Sequence, residues 1–197
     1  LSQCWASLLH EKGITAAQML VTLDDLEHRR RYLNASATLE RLMALDVVPV
    51  VNENDSVATA EIRFGDNDRL AARIGQAARA DAVVLLSDVD GLYTANPHAD
   101  ANAMLIERIE RIDARIAAMA DTGSASGMGS GGMVSKIEAA RIATGSGMHM
   151  AIISGRIPHA LRRFTETAHG TVFVGATDGP SAQAAIDMII ANDVEIA

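Results

Sequence analysis

The chain has 197 residues, 49% of them apolar, with a net charge of −8 and a pI of about 5.2. That length supports one sizeable domain with its own core, and the acidic balance argues against a nucleic-acid partner held by phosphate neutralisation. A single cysteine, Cys4, excludes an intrachain disulfide and fits a reducing compartment. No apolar run reaches the ~18 residues a membrane span needs and no secretory signal pattern occurs, so a cytoplasmic protein away from membranes is expected.

In chain order, Leu1 to Lys12 reads as a helix with Trp5, Leu8 and Leu9 on one face and Gly13 as its stop. It reads as the middle of a structure, so the sequence is expected to be part of something longer. Ile14 to Thr22 is a predicted strand. Asp24-Asp25-Leu26-Glu27 opens a polar helix running towards Ala44, with a break expected near Asn34 and acids in the first turn, where the dipole favours them. Arg29-Arg30-Arg31 lies beside these acids and belongs to a charged helix face. Val47 to Val51 is an apolar, β-branched run typical of a buried strand. Arg69 to Ala78 is a predicted helix and Ala82 to Leu86 the most strand-like run of all. Leu105 to Ile109 is a candidate strand, and Ile112 to Met119 a helix. A glycine- and serine-rich stretch, Gly123 to Gly132, precedes a helix from Met133 to Thr144. His149 to Ser154 (strand), Pro158 to Phe164 (helix) and Thr171 to Val174 (strand) complete the pattern. Strand and helix signals alternate throughout, which predicts an α/β fold: a mostly parallel sheet with helices on both faces. The tail from Pro180 can form an amphipathic helix but has no assigned place.

Three loops carry chemistry. The strand Val47–Val51 stops at Asn52-Glu53-Asn54-Asp55, and Gly65-Asp66-Asn67-Asp68 follows ten residues later. Ligands of open α/β sheets bind at the carboxyl ends of the strands. A polar cluster there could orient an amine, hold a divalent cation, or arrange catalytic cations around a phosphate; an Asx-rich solvated turn is the bland reading. Unpaired carboxylates in proximity repel and need a compensating cation, which weighs against that reading. The second loop, Ser87-Asp88 with Asp90-Gly91-Leu92-Tyr93 beyond it, offers a hydroxyl and a carboxylate to the ribose or phosphate region of a nucleotide, or is an ordinary strand exit. The third, Gly127 to Lys136, contains a formal G-x-G-x-x-G but follows no strand, and it lacks the Gly-Lys-Ser/Thr of a Walker loop. It reads as a glycine loop feeding a helix amino terminus with Lys136 near the first turn, a combination that attracts phosphate; a surface linker is the alternative. The six histidines show no ligand spacing and no G-x-S-x-G elbow occurs, so neither a structural transition-metal site nor a serine hydrolase is supported.

Taken together, YLNA (32–35), VPVVNENDSVATAEIRFGDND, LLSDVDGLYTANP and GMGSGGMVSKIEAA resemble the glutamate 5-kinases of the amino acid kinase family, over roughly Leu1 to Val174. The resemblance implies a three-layer sandwich, incomplete at its amino end, over residues 1–175. It leaves 176–197 as an unassigned tail and supplies no RNA-modification-type (PUA) domain. It implies ATP-dependent phosphorylation of the glutamate side-chain carboxylate with Mg²⁺, in a homo-oligomer subject to proline inhibition. Asp55 and Asn67 would bind glutamate, with Asn52, Glu53 and Asn54 shaping the pocket. Ser87 and Asp88 would contact ATP, and Ser130, Gly131, Gly132, Met133, Val134, Ser135 and Lys136 would form the phosphate-side loop. Lys136 and Asp68 would be catalytic, Asp68 by holding lysines in place, with Asp66 assisting Mg²⁺. The family's first strand, with its lysine and Gly-Ser/Thr loop, has no counterpart in the sequence. Two other readings therefore stand beside this one: a non-catalytic regulatory chain that binds glutamate or nucleotide, and a sister kinase for another acidic substrate.

Overall fold

The computed structural model describes residues 2–54, 66–97, 99–122 and 130–175. They fall into two compact units. One holds residues 2–54 and Ala77–Arg79, the other residues 66–76 and 80–175.

The first unit is a strand–helix–strand crossover preceded by a helix. Helix α1 (Ser2–Glu11) leads into β1 (Thr15–Val21), and β1 pairs in parallel with β2 (Val47–Glu53) from Thr15↔Val47 to Val21↔Glu53. Between them α2 (Leu23–Glu27) and α3 (Arg29–Met43) replace the single helix the sequence suggested. The break falls at His28, in extended backbone, and not near Asn34. Thr22 and Asp25 form a reciprocal capping box at the start of α2, each side chain taking the other's backbone N–H. Strand β2 runs two residues beyond the apolar stretch because β1 still offers partners there, and the Asn54 N–H donates to Val21 O at 2.9 Å.

The second unit contains α4 (Asp66–Ala78), β3 (Ala82–Ser87), β4 (Arg108–Ile109), α5 (Ala114–Thr122), α6 (Ser130–Gly145), β5 (His149–Ser154), α7 (Ala160–Thr167) and β6 (Thr171–Phe173). Its sheet has the order β3-β5-β6-β4, with β3–β5 and β6–β4 parallel and β5–β6 antiparallel. Leu105 does not extend β4. It bridges to Tyr93 instead, because the chain after β3 folds back and pairs Leu92 and Thr94 with Ile106 and Met104.

Strand β5 shows why helices cover both faces. Met150 and Ile152 belong to one core with Ala72 of α4, Ala120 of α5 and Ile137, Ala139, Ala140 and Ala143 of α6. The alternate residues, Ala151 and Ile153, pack with Phe164 of α7 on the other side. A period of two along the strand thus distributes its apolar side chains to two helical layers. Glycine lets α4 lie close to the sheet: a Cβ at Gly75 would meet Val83 Cγ2 at 2.7 Å. The expected α/β class, with mostly parallel strands and flanking helices, describes this unit well.

Candidate active site

Helices α4 and α6 bring together two residues 68 positions apart. Asp68 sits in the first turn of α4, where the helix dipole favours a carboxylate. Lys136 lies in α6, and its Nζ donates to Asp68 Oδ2 at 2.9 Å. The lysine side chain is only 10% exposed and the aspartate 19%. Burying an ammonium is costly unless it is paired, so this contact fixes both groups in one arrangement. The neighbouring residues form a looser ion pair between the same helices, Arg69 Nε to Glu138 Oε2 at 3.7 Å.

Residues 123–129 of the glycine-rich stretch lie outside the described residues, and its last three residues are helical. Helix α6 begins at Ser130, so Ser130, Gly131 and Gly132 belong to its first turn. Glycine propensity argued for a loop, but the packed alanines of α6 draw the helix back by three residues. Lys136 consequently lies nearly two turns in, about 9 Å along the axis from Ser130, not in the first turn. Helical side chains lean towards the amino terminus, which directs Lys136 back along the helix. The first four N–H groups of α6 have no intrahelical acceptor, the usual basis of anion binding. Gly132, Met133 and Val134 are partly exposed and Ser135 is buried; the side chain of Ser130 lies outside the described residues.

Ser87 ends β3, and its hydroxyl donates to Asp88 Oδ1 at 3.1 Å while accepting from the Val89 N–H. Beyond it, Asp90 Oδ2 accepts from the Tyr93 hydroxyl and meets His169 Nε2, each at 3.0 Å. Burial pushes the Tyr93 phenol above its ordinary value of 10.0, and the Asp90 hydrogen bond and charge push it the same way. Thr171, fully buried on β6, accepts from the Leu92 N–H at 2.8 Å. The turn after β3 is therefore tied down by residues 79 positions away.

Asn52 and Glu53 belong to β2 itself, so their side chains leave opposite faces of the strand. Asn52 Nδ2 donates to Glu53 O at 3.2 Å, and Asn54 follows the strand. Asn67 is an exposed residue of the first turn of α4. Asp55 and the side chain of Asp66 lie outside the described residues.

Sequence reasoning passed over His169 and Thr171. Neither belongs to a recognisable pattern, and only the fold brings them to the Asp90–Tyr93 turn.

The model of the amino acid kinase family matches residues 1–154. The chain belongs to the amino acid kinase family. It is 68% identical over 185 residues to a glutamate 5-kinase of Sphingopyxis alaskensis, covering 94% of this chain and 49% of that relative. With a glutamate 5-kinase of Zymomonas mobilis the identity is 65% over 173 residues, covering 88% and 44%. The chain thus spans about half the length of these relatives. A UMP kinase from Ureaplasma parvum superposes with a TM-score of 0.54 at 16% identity, over 84% of this chain and 63% of that one. At that identity the likeness speaks for the amino acid kinase fold alone. Among the described residues, no helix is long and apolar enough to cross a membrane.

Proposed function

We propose that this chain contributes to a kinase that transfers the γ-phosphoryl group of ATP to the side-chain carboxylate of glutamate, the first step of proline biosynthesis. The observation that carries the reading is the buried Lys136 ammonium held 2.9 Å from Asp68, directly after a glycine-rich helix start. Its context is a chain 68% identical to a glutamate 5-kinase.

The chemistry asks little of the protein beyond placement and charge. A glutamate carboxylate oxygen attacks the γ-phosphorus in line, the bond to the β,γ-bridging oxygen breaks, and ADP leaves with the electron pair. Negative charge spreads over the transferred group's oxygens in the transition state. Lys136 supplies a full positive charge for those oxygens, and the first-turn N–H groups of Ser130 to Met133 supply partial ones. Asp68 does not react. It orients Lys136 through their 2.9 Å contact. Ser87 and Asp88 take the nucleoside side of ATP. Asp55 and Asn67, with Asn52, Glu53 and Asn54, take glutamate.

No group of three or more His, Cys, Asp or Glu side chains among the described residues could cage a metal. Mg²⁺ needs no such cage, because it binds through one or two carboxylates and the nucleotide's own phosphates. Asp66 is the carboxylate assigned to it, and the bound ion would neutralise charge on the β- and γ-phosphates. Assembly as a homo-oligomer with proline as a feedback inhibitor belongs to the same reading.

A coupled ADP-release assay on the protein that carries this sequence tests the proposal. Turnover should require glutamate and Mg²⁺ together, with aspartate, acetylglutamate and uridylate as poor acceptors. A preference for one of those three would make it a sister kinase. Binding of glutamate and ATP without ADP production would make it a regulatory chain.

A further inference from the structure

The carboxyl edge of the second unit's sheet is built from two strands, and the site above uses only one of them. Strands β3 and β5 are adjacent and parallel, and their last register pair is Ser87↔Ser154. The two ends are built alike. Ser87 Oγ accepts from the N–H two residues on, at Val89, and Ser154 Oγ does the same for the N–H of Arg156. The Gly155 N–H then donates to Ser87 O at 2.7 Å, which binds the second turn to the first. A Cβ at position 155 would lie 3.1 Å from Leu86 Cβ and 3.2 Å from its carbonyl carbon, so glycine permits this close approach. Arg156 follows, its Nη2 3.9 Å from Asp88 Oδ2.

The charges on this edge are weakly committed. Arg156 is 73% exposed and Asp88 71%, and an exposed pair at 3.9 Å contributes little to stability. A ligand can displace such a pair at small cost. A guanidinium is suited to phosphate, where its planar donors bind in a fork, and a carboxylate is suited to hydroxyl and amine donors. Ligands of parallel sheets bind at this edge. A nucleoside phosphate presents both partners on one molecule, hydroxyls on the sugar and anionic oxygens beside it.

We propose that the Ser154–Gly155–Arg156 turn is the second half of the nucleotide subsite, in which Arg156 leaves Asp88 to bind the phosphate chain while Asp88 accepts a sugar or base donor. The inference rests on the nucleotide reading of Ser87 and Asp88 given above. It adds a phosphate-binding cation from a second strand, and it makes the Arg156–Asp88 pair a resting state that the ligand exchanges for its own contacts.

Calorimetric titration of the protein that carries this sequence with adenosine, ADP and ATP tests it, using wild type, Arg156→Ala and Arg156→Lys, with thermal melts to confirm folding. Arg156→Ala should weaken ADP and ATP about tenfold and leave adenosine within about twofold, because only the phosphates meet the guanidinium. Arg156→Lys should recover part of the loss. Equal weakening of all three ligands would overturn the proposal, since Arg156 would then act only by holding Asp88. Unchanged ATP binding in Arg156→Ala would also overturn it while leaving the kinase reading intact. If wild type bound no nucleotide, both this inference and the kinase reading would fall together.

Discussion

Among the described residues two ion pairs join α4 to α6, and they differ in length and in burial. Lys136–Asp68 is 2.9 Å long with side chains 10% and 19% exposed. Arg69–Glu138, one position further along α4 and two along α6, is 3.7 Å long with side chains 32% and 53% exposed. Both are cation–carboxylate pairs between the same helices, and the shorter one is the more buried. In water a loose pair gains little, because solvent screens it and side-chain entropy opposes it. Out of water an ammonium must keep its partner or lose its charge. The same two helices therefore carry one short, largely buried pair and one longer, more exposed pair.

The largest expected effect is on turnover. Lys136→Ala should lower kcat about 1,000-fold in the ADP-release assay, whereas Glu138→Ala should leave it within about twofold. Wild-type turnover in Lys136→Ala would erase the distinction between the pairs. Next comes Asp68→Asn, which keeps shape and removes charge. It should reduce kcat about 10- to 100-fold with a smaller change in the KM for ATP, because the lysine is misplaced and not removed. A change confined to KM would make Asp68 a ligand contact and not a positioning residue.

Stability provides the third comparison. Double-mutant cycles in urea should give a coupling of about 2 kcal/mol for Lys136–Asp68, below the fully buried range because both side chains keep some solvent contact. The Arg69–Glu138 coupling should be under about 0.5 kcal/mol and should vanish in 0.5 M salt. Equal couplings would show that burial is not the deciding variable. The smallest effect belongs to the first unit, where Asp25 is 32% exposed. Its carboxyl is held below its ordinary value of 3.8, chiefly by the Thr22 backbone N–H, with the Thr22 hydroxyl and Arg31 acting in the same direction against desolvation. A depressed carboxyl stabilises the fold above pH 3.8 and loses that contribution as pH falls through the lower folded value. Thr22→Ala keeps that backbone N–H and removes only the hydroxyl, so it should flatten this acid limb partly, by less than about 1 kcal/mol, read as a slightly reduced slope of melting temperature between pH 4 and 2.

Much of this arrangement was legible in the sequence. The run HMAIIS gives β5 with its exact bounds, and every predicted helix and strand among the described residues has a counterpart. What was missed follows from tertiary contact. The start of α6 was placed three residues late because glycines argue for a loop, while the alanines behind them pack onto the sheet and favour a helix. The break before α3 falls at His28, where extended backbone ends one helix and begins the next without proline or glycine to mark it. The fold brings Asp68 within 2.9 Å of Lys136, and it carries β2 through Asn52 and Glu53 because β1 still pairs with them there. The paired serine turns at Ser87 and Ser154 were open to notice, since both strands run apolar to a final serine, but adjacency is a property of sheet order and cannot be read along the chain.

The contact surface of α6 has one further implication. Ala139, Ala140 and Ala143 have no solvent exposure and meet the sheet core with methyl groups alone. Methyl groups have no rotamers, so they cannot absorb a displacement by rearranging. The helix works as a fixed shim, and the distance from its axis to the sheet is set by backbone and Cβ atoms. The position from which Lys136 extends its ammonium is thereby machined into the main chain, which leaves the lysine's own four methylenes as the adjustable part.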